Sequence, residues 1–572
     1  MTMHNNKKKK CLLFIVALCL TGCAFSPVIV KGADSSANTE RPSFNSTFHY
    51  SLGVLNILDE NIDEAIMEYE KALIFDPQSS YLSAELVSLY IEKGDIKKAI
   101  ILCEKSLIDN PGNINVRLLL AGLYLNMKEW DNAIREYKKV IELDSKNPVS
   151  YLYLGTIYAE NKNYEKALDT FKSLINVRPD HLMGQYYHAK VLTEMKRYDE
   201  AEQGFKKTLV IKPTFEPAVI DLGILYEKNK RADQAIDIYK SFINLHPAAM
   251  NVRIKLGEIF LRERKSLDAE REFKEILNMD KDNREARLHL GFLYLENKQY
   301  EQAIQEFSIL LKGNPNDHRA RYLLASTYEE MKSHSQAIEE FKKIPVHTEF
   351  YENAQIQIAM ILKKEGKIDE AIALLQSAIK NNKQTPGLYV YLSSLHEENK
   401  KLSSAEEILK EGLVISPQSI DLHYSLGVLY EKTNRFQESV REMELVLKID
   451  PDNAEALNFI GYTYADKGIR LDEAEKMIKK ALHLKPGNGY MIDSLGWVYF
   501  RQSKVDLAIK YLKEALDALP NDPTIAEHLG DAYTKAGRTS DAMELYKRAL
   551  KLNPGNNDLQ KKVDGLLKEK RN

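Results

Sequence analysis

The stretch YLYLGTIYAENKNYEKALDTFKSLINVRPD, Tyr151–Asp180, decides the fold. Its apolar residues recur at helical spacing on both sides of the polar turn Asn161-Lys162-Asn163, and Pro179 closes the second segment. That pattern predicts two amphipathic helices joined by a tight turn. Small residues stand where the helices must cross closely, Gly155 in the first and Ala167 in the second. Leu154, Tyr158, Phe171 and Leu174 fill the space around that crossing. One such hairpin cannot bury its apolar face alone and needs neighbours of its own kind.

The rest of the chain supplies them. The crossing alanine recurs at Ala65, Ala99, Ala133, Ala167, Ala201, Ala235, Ala269, Ala303, Ala337, Ala371 and Ala405, always 34 residues after the last. Ser439 takes the next place, and one inserted residue moves the series to Ala474, Ala508 and Ala542. This makes fifteen hairpins between about residues 46 and 555. Prolines close most of them, as at Pro77, Pro213, Pro315 and Pro451, and glycine marks the first-helix crossing at Gly53, Gly223, Gly291 and Gly530 among others.

The period, with its Leu-Gly, Tyr, Ala, Phe and Pro pattern, resembles the tetratricopeptide repeat (TPR). The resemblance covers roughly nine-tenths of the chain. It implies an all-α, right-handed superhelical solenoid whose inner groove is lined mainly by the first helix of each pair. Length alone would suggest several domains, but an unbroken repeat argues for one solenoid held by nearest-neighbour contacts. Beyond Pro554, Asn557–Glu569 carries Leu559, Val563, Leu566 and Leu567 at helical spacing and is expected to cap the apolar end of the last repeat. The expected layout is a signal peptide at 1–22, a lipidated cysteine and flexible tether at 23–45, repeats 1–9 at 46–345, repeats 10–15 at 346–555, and the capping helix at 556–572.

The N-terminus carries the targeting information. Lys7–Lys10 form a basic segment and Cys11–Leu20 a ten-residue apolar run, too short for a stable membrane span and suited to a secretory leader. Leu20-Thr21-Gly22-Cys23 then resembles the bacterial lipobox, in which the cysteine is acylated and the preceding peptide removed. The alternative is an ordinary leader with a cysteine near its cleavage site. The resemblance implies lipidation at Cys23, including an amide-linked palmitate-type chain, and firm anchoring, since each buried methylene contributes about 0.8 kcal/mol. In that family an aspartate after the cysteine marks inner-membrane retention; Ala24 stands here, which points to the outer membrane facing the periplasm. Residues 24–45, rich in Ser, Asn, Thr, Gly and Pro, read as a tether.

Charge excludes one class of partner. The net charge of −3 becomes −7 once the four lysines Lys7–Lys10 leave with the leader, and no basic stripe remains for nucleic acid. Four cysteines make no disulfide framework, and Cys103 occupies a large-residue slot as a small buried hydrophobe. The thirteen histidines are scattered without metal-ligand spacing, and no nucleophile elbow or phosphate loop appears. No enzyme, cofactor or metal is therefore expected.

Two places break the repeat. Pro345 falls well before the closing position of the ninth hairpin and should end its second helix early. That is either a weakened joint or a shortened helix in an undisturbed stack. The inserted residue in DKGIRL, Asp466–Leu471, should lengthen an inter-helix turn. The block from Asn458 to Gly537 further resembles the C-terminal part of envelope-anchored bacterial TPR proteins.

The groove is the remaining candidate site. In the family, the fifth and ninth positions of each first helix point inward, and one subclass grips a peptide carboxylate with lysine and asparagine there. Those positions here are mostly apolar or aromatic, so that clamp is absent. The candidate partner-binding residues are Tyr50, Tyr186, Phe292, Tyr322, Tyr424, Tyr462 and Trp497, because large aromatics dominate binding hot spots. Toward the C-terminus the lining turns acidic, through Asp493, Glu527 and Asp531. Aliphatic groove residues could instead pack between helices. A second ladder, Arg253, Arg287 and Arg321, could meet an acidic partner or pair with glutamates one turn away. Together these features suggest a membrane-anchored scaffold in the bacterial envelope that binds protein partners, serving assembly, export or envelope maintenance. The alternative is a carrier of glycan or peptidoglycan strands, with the aromatics stacking on sugars.

Overall fold

The quoted hairpin forms from helices Pro148–Glu160 and Tyr164–Val177. Asn147 caps the first helix, its side chain accepting a hydrogen bond from the Ser150 amide, and Pro148 occupies a position where no intrahelical N–H is needed. Lys162 turns the chain at φ +58°, and the Asn163 side chain caps the second helix. At the crossing, a Cβ added to Gly155 would lie 2.6 Å from Phe171 Cε1, so the ring fits only against a bare backbone. Ala167 and Phe171 are fully buried; enclosing such a phenylalanine contributes about 1.5–3 kcal/mol.

The computed structural model describes residues 44–569. The leader, Cys23 and nearly all of the expected tether lie outside the described residues. From Phe44–Leu58 to Asn557–Glu569 the described chain is helix pair after helix pair, with no strand among the described residues. It divides into two compact units, Met1–Asn283, containing repeats 1–7, and Arg284–Asn572, containing repeats 8–15. No helix among the described residues is long and apolar enough to cross a membrane.

Within the first unit, polar ties join several successive repeats. Tyr124 of the third repeat donates its hydroxyl to Glu104 of the second at 2.6 Å. Tyr226 does the same to Glu202 at 3.0 Å, and Arg231, stacked over the Tyr226 ring, adds an ion pair to Glu202 at 2.8 Å. Burial opposes ionisation of Glu202, but hydrogen bonds from Arg231, Lys206 and Tyr226 overcome it and hold the carboxyl at about 2. Cys103 is fully buried, as expected, and burial pushes its thiol up to about 12.

The second unit repeats the device with Tyr430, Glu406 and Arg435, and with Tyr499 and Glu475. One of its apolar clusters runs from Val440 to Leu566, taking in the last helix. Leu559, Val563 and Leu566 are buried, so the capping helix seals the stack. Leu567 stays 41 % exposed, contrary to expectation, because it lies one residue round the helix from the sealed face.

Two other expectations need adjusting. The arginine ladder does not pair one turn away. Arg253 binds Glu272, Arg287 binds Glu306 and Arg321 binds Glu340, at 2.6, 2.6 and 2.7 Å, each across its own hairpin to the second helix. The insertion in DKGIRL extends the first helix, Ala454–Lys467, instead of the turn, which keeps three residues from Gly468 to Arg470. Gly468 is needed there: it stands at φ +72°, and Arg501 Nη2 would lie 2.6 Å from an added Cβ. At Pro345 the second helix is indeed short, His334–Lys342, yet Ala337, Phe341 and Ile344 pack with Ala354, Ile358 and Ile361 across the break. The stack continues through it.

Candidate functional site

The seven aromatic residues singled out by groove position do not behave alike. In the first unit, Tyr50 is half-buried, with its hydroxyl 3.1 Å from that of Tyr81. Tyr186 is only 8 % exposed: it packs edge-on to Phe215 and donates to Asp221 at 2.8 Å. Its ring is a packing element, because the neighbouring repeat supplies both an apolar wall and an acceptor for the hydroxyl.

In the second unit, Phe292 is 38 % exposed, whereas Tyr322 is half-buried against Phe341 and Phe350. The other three converge. Tyr424 and Tyr462 line a cavity of about 420 Å³ on the inner side of repeats 12–15. Trp497 lies beside it, stacked on Phe500 and on His528, with ring centroids 4.7 and 4.1 Å apart. Tyr462 approaches the same imidazole at 6.4 Å.

Helix geometry places these groups. Asn453, Asn488 and Asp522 cap three successive first helices, accepting from Ala456, from Tyr490 and Met491, and from Thr524 and Ile525. The capped starts bring equivalent faces into register, so side chains from four repeats meet. Phe459 and Tyr490 add two further rings to the wall, and Glu455, Asp493 and Asp522 add carboxylates. Asn458 Oδ1 is buried without a hydrogen-bond partner.

Electrostatics here are dominated by acids. His528 Nδ1 lies 3.0 and 3.1 Å from the two Asp493 oxygens. Burial would lower the pKa of this imidazole, but the carboxylates of Asp493, Asp531 and Glu527 raise it above its ordinary value. Lys562 in turn pairs with Glu527 and Asp531 at 2.8 and 2.7 Å. Burial and the carboxylates of Asp493, Asp466, Glu431 and Glu527 push the Tyr462 phenol up to about 12.

Position reading missed Phe459, Tyr490 and Glu455, which stand at the sixth and second places of their helices. The signal was present: residues three and four apart share a helix face, so Glu455, Asn458, Phe459 and Tyr462 form one stripe.

The fold defines a helical-repeat protein with a capped C-terminal end. Models described as tetratricopeptide repeat match residues 57–121, 114–147, 219–249 and 494–557. A model of the tetratricopeptide repeat protein 21 C-terminal ARM domain matches 271–458, and one of anaphase-promoting complex subunit 3 matches 131–208. The chain is a tetratricopeptide-repeat protein. It is 43 % identical over 65 residues to a TPR repeat-containing protein of Pseudomonas aeruginosa, an alignment spanning 11 % of this chain and 11 % of that relative. Among solved structures it is similar to the APC/C hetero-tetramer Cut9-Hcn1, at 18 % identity, covering 86 % of this chain and 96 % of that one, with a TM-score of 0.33. It is also similar to the MamA protein, at 26 % identity, covering 28 % of this chain and 89 % of that one, with a TM-score of 0.27.

Proposed function

We propose that the protein is a lipid-anchored scaffold of the bacterial envelope that holds protein partners along its inner face. The observation carrying this reading is the convergence of Tyr424, Phe459, Tyr462 and Tyr490 on an open cavity at the margin of the core. Rings left at a surface with polar groups between them are the usual anchors of protein recognition. The repeat is a scaffold for contact surfaces, so the chemistry expected is holding and positioning. Anchoring rests on the lipobox-like Leu20-Thr21-Gly22-Cys23, and the outer membrane on Ala24.

Two experiments test this. Cys23→Ala is expected to release the protein from membranes without unfolding it; sedimentation with membranes after a high-salt wash would contradict lipid anchoring. In cross-linked envelopes, Phe292→Glu with Tyr424→Glu is expected to lose the proteins recovered with the native chain. Retention of peptidoglycan fragments by the purified protein, with no protein recovered, would favour the glycan carrier.

A further inference from the structure

The cavity in repeats 12–15 has a chemistry of its own, and it is one-sided. Four aromatic residues, Tyr424, Phe459, Tyr462 and Tyr490, line it. Glu455, Asp493 and Asp522 supply negative charge, and no lysine, arginine or histidine is among its lining residues. Farther out, Glu431, Asp466 and Glu527 extend the acidic field over Tyr462. Three cations offset part of it from outside the lining: Lys485 pairs with Glu455, His528 with Asp493, and Lys562 with Glu527 and Asp531.

An anion is a poor match for this place. Helix N-termini could attract one, but those of Gly489–Arg501 and Pro523–Lys535 are already capped by Asn488 and Asp522. Among the lining residues the unsatisfied polar atom is an acceptor, the buried Asn458 Oδ1; the unpartnered Trp497 Nε1 donor lies outside the lining. Aromatic faces, carboxylates and a free acceptor together ask for a positively charged group rich in N–H donors, since a cation is attracted both by ring quadrupoles and by carboxylates.

We propose that this cavity receives the lysine or arginine side chain of a partner polypeptide lying along the inner face of repeats 12–15. The inference rests on the protein-binding reading above and deepens it by naming the partner's chemistry: a basic segment with apolar flanks. The flanking apolar side chains lie against Phe459 and the exposed Tyr490, and the basic head reaches the carboxylates.

The test uses the full chain in detergent and three labelled peptides of equal length, alternating Leu with Arg, with Gln or with Glu. Fluorescence anisotropy is expected to show the Arg peptide bound about tenfold tighter than the Gln peptide, the scale of one well-placed cation contact. Glu455→Gln with Asp522→Asn should abolish that preference, and the fold survives because asparagine is as good an N-cap as aspartate. Asp517→Asn with Glu544→Gln removes two exposed carboxylates away from the cavity and should leave the preference intact. Equal binding of the Arg and Gln peptides, preference for the Glu peptide, no binding of the Arg peptide, or equal loss in both double variants overturns the inference. If the Gln or Glu peptide is the one bound, protein recognition still stands. If soluble peptidoglycan fragments bind and no peptide does, both fall.

Discussion

The indole of Trp497 lies flat on the imidazole of His528, with centroids 4.1 Å apart and planes 18° from parallel. The contact spans two repeats and brings a sequence-expected groove residue onto a buried ion pair. Asp493, on the helix of Trp497, holds that imidazole from the other side at 3.0 Å.

This arrangement makes local stability depend on pH. The pKa of His528 is raised in the fold by Asp493, Asp531 and Glu527 against the opposing effect of burial, with Lys562 facing the latter two carboxylates. A raised folded-state pKa gives stability that is fully present below about 6.5 and is lost as pH rises through the folded value. In a Trp130→Phe background, where Trp497 is the one remaining tryptophan, its fluorescence should report easier urea unfolding at pH 9 than at pH 6. His528→Gln should remove that difference. An unchanged pH response in His528→Gln would contradict the assignment.

Acid acts through other joints. Glu202 and Glu475 are held at about 2 against burial, by Arg231 and Lys206 and by Lys479 and Gln502 respectively. Their lowered values add stability above about pH 4.5 that is lost as pH falls toward 2. Circular dichroism melts between pH 5 and 2 should show a declining melting temperature, and Glu202→Gln with Glu475→Gln should flatten the decline while lowering the melting point at pH 7.

Close crossing in the fourth repeat leaves no room for a methyl. Gly155→Ala would place its Cβ 2.6 Å from Phe171 Cε1, so the ring must shift. The expected cost is about 1–3 kcal/mol, read as a lower urea midpoint. Phe171→Leu in the same chain should recover part of it, whereas a neutral Gly155→Ala would contradict the packing described.

Turn residues offer the opposite sign. Lys162, Lys196, Lys230 and Lys298 all stand at φ near +59°, a region costly to residues with a Cβ. Gly366 and Gly537 show that glycine is accommodated at left-handed turn positions in other repeats. Each Lys→Gly change at these turns is expected to stabilise by about 1 kcal/mol, and differential scanning calorimetry of the four-site variant checks it. Destabilisation would mean that the lysine side chains contribute more than the strain.

The period of the crossing alanine made the fold legible, because Ala65 to Ala542, with Ser439 in the twelfth hairpin, occupy one fully buried position in each hairpin. The site was legible only in part. Fifth and ninth positions found Tyr424, Tyr462 and Trp497, but how far a ring is covered depends on the next repeats: Phe215 and Asp221 enclose Tyr186, whereas Tyr462 lines a cavity with the His528 ring 6.4 Å away. The partners of Arg253, Arg287 and Arg321 lie across the hairpin, a distance set by the inter-helix crossing and invisible to a one-turn rule. The inserted residue of DKGIRL went into the helix because Gly468 allows one more residue before the left-handed turn.

The account turns on whether the inner face of repeats 12–15 touches protein. A photo-reactive phenylalanine analogue placed at Tyr462 in growing cells, and separately at the exposed Leu267 as an outer control, tests this with mass spectrometry of the adducts. Discrete polypeptide adducts from position 462 and none from 267 are predicted. Adducts to glycan alone at 462, or protein adducts at 267 and none at 462, would contradict it.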